Sequence, residues 1–148
     1  MYRIRPGVRP VLTTLLLTVL TVLAASAASA QQKQVVVHIG QYSNDLHSMA
    51  MGLGLADNLQ KSGADVTIFL DREAVRIADR GQPFLVYGDT DTEALMTSFI
   101  DGGGDVVVCP HCAELGGVER AELRSGMSLG TMQSIAQLFL AADVVIDY

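Results

Sequence analysis

Gly104-Asp105-Val106-Val107-Val108-Cys109-Pro110-His111-Cys112 runs from a glycine turn through three β-branched residues into the only two cysteines of the chain. Three consecutive valines favour a pleated strand buried on both faces. Pro110 suits the first position of a helix, where the missing N–H would be unpaired in any case. The stretch therefore reads as a strand handing over to a helix, with Cys109 at or near the N-cap. A strand that does this at its carboxyl end is the repeating unit of a parallel α/β sheet.

The same alternation continues on both sides of this stretch. Val35 to Ile39 is a short apolar run, and Leu46 to Leu59 follows with Met49, Leu53, Ala56 and Leu59 on one helical face. Gly63 lies where a C-cap belongs. Asp65 to Leu70 reads as a second strand, followed by a short helical segment with Val75, Ile77 and Ala78. Gly81-Gln82-Pro83 interrupts it before an apolar patch at Phe84 to Tyr87, and Asp89 to Asp91 reads as a turn with capping residues. A helix from Thr92 to Ile100 then buries Leu95, Met96, Phe99 and Ile100, and Gly102-Gly103-Gly104 ends it. Beyond the cysteines, Ser128 or Thr131 is expected to cap a final helix through Leu140, with a last strand at Val144 to Ile146. The expectation is a three-layer α/β/α domain with an open, mainly parallel sheet of about five strands.

Residues 1–30 are expected to be a secretory signal peptide, cleaved near Ala30. Arg3, Arg5 and Arg9 precede an apolar stretch from Val11 to Ala25, and Ala28-Ser29-Ala30 forms a small-residue cleavage pattern. That stretch falls short of the roughly 20 apolar residues that span a bilayer. The expected location is periplasmic or otherwise outside the cytoplasm, with one domain at 31–148. This remainder keeps seven basic and all 16 acidic residues, a formal charge of −9. Nucleic acid is excluded as a partner, because phosphate binding needs clustered lysine and arginine. The absence of tryptophan and of any polybasic block argues against a membrane-surface role once the signal is removed.

Several sites can be set aside on position. A phosphate cradle follows a strand and opens a helix, whereas Gly102-Gly103-Gly104 precedes a strand. Gly52-Leu53-Gly54 falls inside a helix and suits close packing against the sheet. The turn Gly40 to Asp45 lacks the spaced glycines of a dinucleotide site, so Asp71 is not read as a ribose ligand and no nicotinamide or flavin cofactor is expected. No metal is expected either: His38, His47 or His111 would have to complete the cysteine pair, and a second ligand pair at zinc spacing is missing. His38 reads as a packed core histidine and His47 as a surface residue.

The chemistry is therefore expected at Cys109 and Cys112, beyond the carboxyl ends of the strands, together with the Gly40 to Asp45 loop and Asp71. A cysteine facing unpaired helix amides is expected to have a lowered pKa. Cys112, one turn on, is placed to attack the Cys109 sulfur or to close a disulfide with it. An inert disulfide is the competing reading, although so short a loop restricts the unfolded chain little. Cys-Pro-His-Cys also occurs in thioredoxin-like disulfide oxidases, but those folds carry the pair at an early junction and a later cis proline. Here no proline follows Pro110.

Over its exported length the sequence resembles the DsrE/DsrF-like sulfur-relay family. The resemblance is carried by Val35-Val36-Val37-His38-Ile39-Gly40 and its helix, and by Val66-Thr67-Ile68-Phe69-Leu70-Asp71 with the Ala74-Val75 helix. Further matches are Gly104 to Cys109 with Cys112, then Gly116-Gly117-Val118, and the closing Ala142-Asp143-Val144-Val145-Ile146. One departure is Gly116, where the family usually carries arginine. The resemblance implies small α/β subunits in homo- or hetero-oligomers, with a persulfide carried at the Cys109 position and sulfur exchanged with donor and acceptor proteins or small thiols. A dithiol/disulfide oxidoreductase and a noncatalytic assembly subunit are the alternatives.

Overall fold

The structure is a computed structural model that describes residues 32–148. The signal-peptide reading of residues 1–30 lies outside the described residues. Five strands form one all-parallel sheet in the order β6-β5-β2-β1-β7: β1 (Gln34–Ile39), β2 (Asp65–Leu70), β5 (Asp105–Val108), β6 (Met127–Leu129) and β7 (Val144–Asp147). The helices are α1 (Leu46–Lys61), α2 (Val75–Ala78), α3 (Thr92–Asp101), α4 (Pro110–Gly116) and α5 (Met132–Ala141).

The order of the strands explains how the helices are shared between the faces. From β1 the chain steps through β2 and β5 to β6 in one direction, and then α5 carries it back past β1 to β7. Parallel crossovers keep a right hand, so reversing direction moves the connecting helix to the opposite face. One face carries Val35, Val37, Ile39, Val66, Ile68, Leu70, Val106 and Val108, packed with α1 to α4 in the main core. The other carries Val36 and Phe69 under Ile135 of α5, with Val107, Leu138 and Phe139 around them. Each fully buried aliphatic or aromatic side chain contributes about 1.5–3 kcal/mol, so the first face supplies most of the stability. The second is thinly covered, and Met132 and Leu140 of α5 are 71% and 87% exposed.

Local signals account for the helix ends. The Asp45 carboxylate accepts the Ser48 N–H at 3.0 Å and Asp91 does the same for Glu93 and Ala94, which settles otherwise unpaired amides. Thr131 starts α5 through a reciprocal pair with Ser134. Gly52 lets α1 approach the sheet, since a Cβ there would lie 3.0 Å from the Ile39 side chain.

The apolar patch at Phe84 to Tyr87 stays out of the sheet: Val86–Tyr87 (β3) pairs only with Thr90–Asp91 (β4) in a small antiparallel hairpin, around the turn expected at Asp89 to Asp91. Val86 is 62% exposed, and Pro83 upstream has no N–H to give a ladder. The fifth strand is instead Met127–Leu129, so Ser128 sits mid-strand and Thr131 is the cap.

Candidate functional site

Cys109 closes β5 and opens α4. Its backbone N–H donates to Leu70 O at 2.8 Å, continuing the β2–β5 ladder by one rung. Its φ of −61° and ψ of 118° are those of an extended N-cap, and Pro110 takes the first helical position. The cap is made by sulfur: the Cys112 N–H donates to Cys109 Sγ at 3.3 Å. The Cys109 side chain packs with the cluster under α5, while Cys112 packs against the main core. Both cysteines are half-buried and unoxidised.

The expectation of a lowered Cys109 pKa is overturned. Burial pushes the thiol above its ordinary value, and the neighbouring Cys112 thiol pushes the same way. The N–H groups of Cys112 and His111 pull it down by less. The helix behind them has only seven residues, and the His111 ring is turned out to solvent, so neither offsets the loss of water around the sulfur. Cys109 is accordingly a thiol at neutral pH. Its alkylation rate by iodoacetamide should keep rising with pH past the point where a free cysteine levels off; a plateau reached below neutral pH would show that the amides win.

The rest of the carboxyl edge is charged. His38 packs on the thinly covered face, where alternation along β1 sets it beside the buried Phe69, ring centroids 5.5 Å apart, with its side chain 17% exposed. Its Nδ1 lies 2.5 Å from Asp147 Oδ1 and its Nε2 lies 2.8 Å from Asp71 Oδ1. Arg72 joins them, with Nε 3.1 Å from Asp71 Oδ1 and Nη2 3.9 Å from Asp147 Oδ1. Asp71 follows β2 directly, so the row across the sheet edge runs from Cys109 through Asp71 and His38 to Asp147. The expected grouping of Cys109 and Asp71 at this edge is therefore correct, as is the surface role of His47, which is exposed and stacks on Tyr87 at 5.1 Å. Among the described residues no group of three His, Cys, Asp or Glu side chains is arranged to hold a metal ion.

Arg72 was not anticipated. Its φ of 45° is the one left-handed conformation outside glycine among the described residues, a strain of the kind that clusters at functional sites. A signal existed in the charged triplet Asp71-Arg72-Glu73 directly after an apolar strand, but its significance depends on β2 and β5 being neighbours.

With the geometry in place, comparison with known proteins is decisive for the family. The sequence profile of the DsrE/DsrF-like family matches residues 31–148. The chain belongs to the DsrE/DsrF-like family. Among relatives, Protein YchN of Escherichia coli (strain K12) is 29% identical over 119 residues, covering 79% of this chain and 99% of that protein. Protein YchN of Shigella flexneri matches to the same extent. The crystal structure of the ychN protein from E. coli superposes with a TM-score of 0.69 at 24% identity, over 79% of this chain and all of the other. A protein of unknown function from Methanobacterium thermoautotrophicum superposes with a TM-score of 0.62 at 13% identity over the same share of this chain and 100% of its own. These two likenesses concern the fold. Within the DsrE/DsrF-like fold, the cysteine pair stands where the sheet edge meets α4.

Proposed function

We propose that this DsrE-like protein accepts sulfane sulfur on Cys109, holds it as a persulfide and passes it to an acceptor thiol. The observation that supports this reading is the pairing of two free thiols one helical turn apart at the carboxyl edge of a parallel sheet, the Cys112 amide directed at the Cys109 sulfur. In the loading step Cys109 Sγ bonds to the outer sulfur of a donor persulfide and the donor S–S bond breaks. The Cys109 proton ends on the departing donor thiol, so no oxidant is consumed. Delivery reverses these bonds with the acceptor thiol in place of the donor. Cys112 offers a second exit: its attack on Cys109 Sγ releases hydrosulfide and leaves a Cys109–Cys112 disulfide, which external thiols must reduce.

Incubation with inorganic polysulfide followed by intact-mass measurement tests this. One added sulfur that dithiothreitol removes is expected on the wild-type protein. A protein that only loses two hydrogens on oxidation and regains them with dithiothreitol is a dithiol/disulfide oxidoreductase instead, and one that does neither is an assembly subunit.

Export ahead of this chemistry, with the signal removed near Ala30, is part of the proposal. Disulfide formation is permitted in that compartment, so Cys112 gives the site a resting state there. Assembly is proposed through the α5 face, where Met132 and Leu140 are exposed and the exposed Val145 of β7 is on the same side of the sheet. Sedimentation should show Leu140→Asp with a smaller mass than wild type; an unchanged mass removes this face from the assembly.

A further inference from the structure

The Cys109 edge is only one side of the cysteine pair. Cys112 faces the other way, into a cavity of about 380 Å³ lined also by Arg72, Glu73, Val75, Arg76, Leu115 and Gly116. That volume lies in the range of small-molecule sites. Its chemistry divides into three parts. The exposed Leu115 gives an apolar wall, Val75 being buried in the core, and the Cys112 thiol gives a reactive group. Arg76 and Glu73 give a pair of opposite charges, joined through Arg76 Nε and Glu73 Oε2 at 3.0 Å.

That joining leaves specific atoms open. The terminal nitrogens of Arg76 and Oε1 of Glu73 have no hydrogen-bond or ion-pair partner among the described residues. A guanidinium held at Nε presents its outer edge as a fork for a carboxylate, and the spare Glu73 oxygen is an acceptor for an ammonium. From this arrangement we infer that the cavity binds a low-molecular-weight thiol or persulfide with an amino-acid headgroup, its carboxylate on Arg76 and its sulfur at Cys112. Inorganic thiosulfate fits worse. It is a compact dianion with nothing to set against Leu115, Glu73 repels it, and the second lining cation, Arg72, is already paired with Asp71 and Asp147.

This inference rests on the persulfide reading for its purpose, in which the bound thiol reduces the Cys109–Cys112 disulfide left by hydrosulfide release. Its sulfur bonds to Cys112 Sγ as the Cys109–Cys112 bond breaks and its proton goes to Cys109; a second thiol then frees Cys112 and leaves as the small-molecule disulfide.

S-methylglutathione tests the cavity separately, because it has the headgroup and no reactive sulfur. Titrated into the wild-type protein, it should shift the amide resonances of Cys112, Leu115 and Gly116, and Arg76→Gln should weaken binding about tenfold or more. Thiosulfate should leave those resonances in place. No shift at millimolar S-methylglutathione, or equal binding by Arg76→Gln, overturns the inference. Polysulfide loading is read on the same samples. Loading without S-methylglutathione binding eliminates the cavity and leaves the carrier, whereas binding without loading supports the cavity and removes the carrier reading.

Discussion

Cys109→Ser should abolish sulfur loading, and Cys112→Ser should load and then keep its sulfur longer than the wild-type protein. Serine is the informative replacement because it separates chemistry from folding. Position 109 is the N-cap of α4, and its side chain accepts the Cys112 amide. Serine is among the preferred N-cap residues, worth about 1 kcal/mol over a non-capping side chain. A serine oxygen therefore keeps the cap that sulfur now makes, and α4 should form as before. What it removes is the atom that bonds to sulfane sulfur. Loading in Cys109→Ser equal to wild type, with Cys112→Ser inert, would transfer the carrier role to Cys112.

The longer lifetime in Cys112→Ser has its own cause. In the wild type the second thiol sits one turn away and discharges the persulfide as hydrosulfide, a step that proximity accelerates over any intermolecular one. Removing it leaves only an external acceptor. The raised Cys109 pKa adds a signature to both variants. Raised means protonated at neutral pH, so loading should accelerate as pH increases through the ordinary thiol range. In Cys112→Ser the neighbouring thiol no longer pushes Cys109 upward, and the rise should begin at lower pH. Equal pH profiles for wild type and Cys112→Ser would mean that burial alone sets the ionisation.

The parallel sheet was legible because its strands are apolar on both faces, a pattern that survives without any alignment. Val35 to Ile39, Asp65 to Leu70 and Asp105 to Val108 all announce themselves this way, and the observed strands coincide with them. Met127–Leu129 does not, since an edge strand of three residues with a serine at its centre carries no periodicity. Phe84 to Tyr87 is the converse case: its composition is sheet-like, yet only Val86 and Tyr87 form a strand, exposed on a hairpin, while Phe84 and Leu85 pack against the main core. Cys109 and Cys112 could be placed from spacing and the proline alone. The sign of the Cys109 pKa shift could not. It depends on how much water the α5 side of the sheet excludes, which is a tertiary quantity. Arg76 and Glu73 were equally hidden, because they approach Cys112 only after α2 and the 3-10 turn before it (Arg72–Ala74) pack beside α4, on segments far apart in sequence.

Phe99→Ala should be among the most destabilising single changes in the domain, by about 3–5 kcal/mol. Its ring is fully buried in the main core, and that loss is a large part of the 5–15 kcal/mol that holds a typical domain together. Thermal unfolding should fall by roughly 10 to 20 °C. The ring also explains why residue 104 is glycine. A Cβ there would lie 2.3 Å from Phe99 Cζ, and a ring enclosed on all sides cannot yield. Gly104→Ala alone should therefore cost about 1–3 kcal/mol through overpacking. In the Phe99→Ala background the added methyl enters the space the ring has left, so the double variant should be more stable than the sum of the single losses by about 1 kcal/mol or more. Strict additivity would mean that the glycine serves its backbone and not the ring. Phe99 is not among the residues packed with Cys109 beneath α5 or lining the Cys112 cavity. Below its lowered melting temperature Phe99→Ala should thus load sulfur at the wild-type rate, which distinguishes a residue that holds the sheet in place from one that handles sulfur.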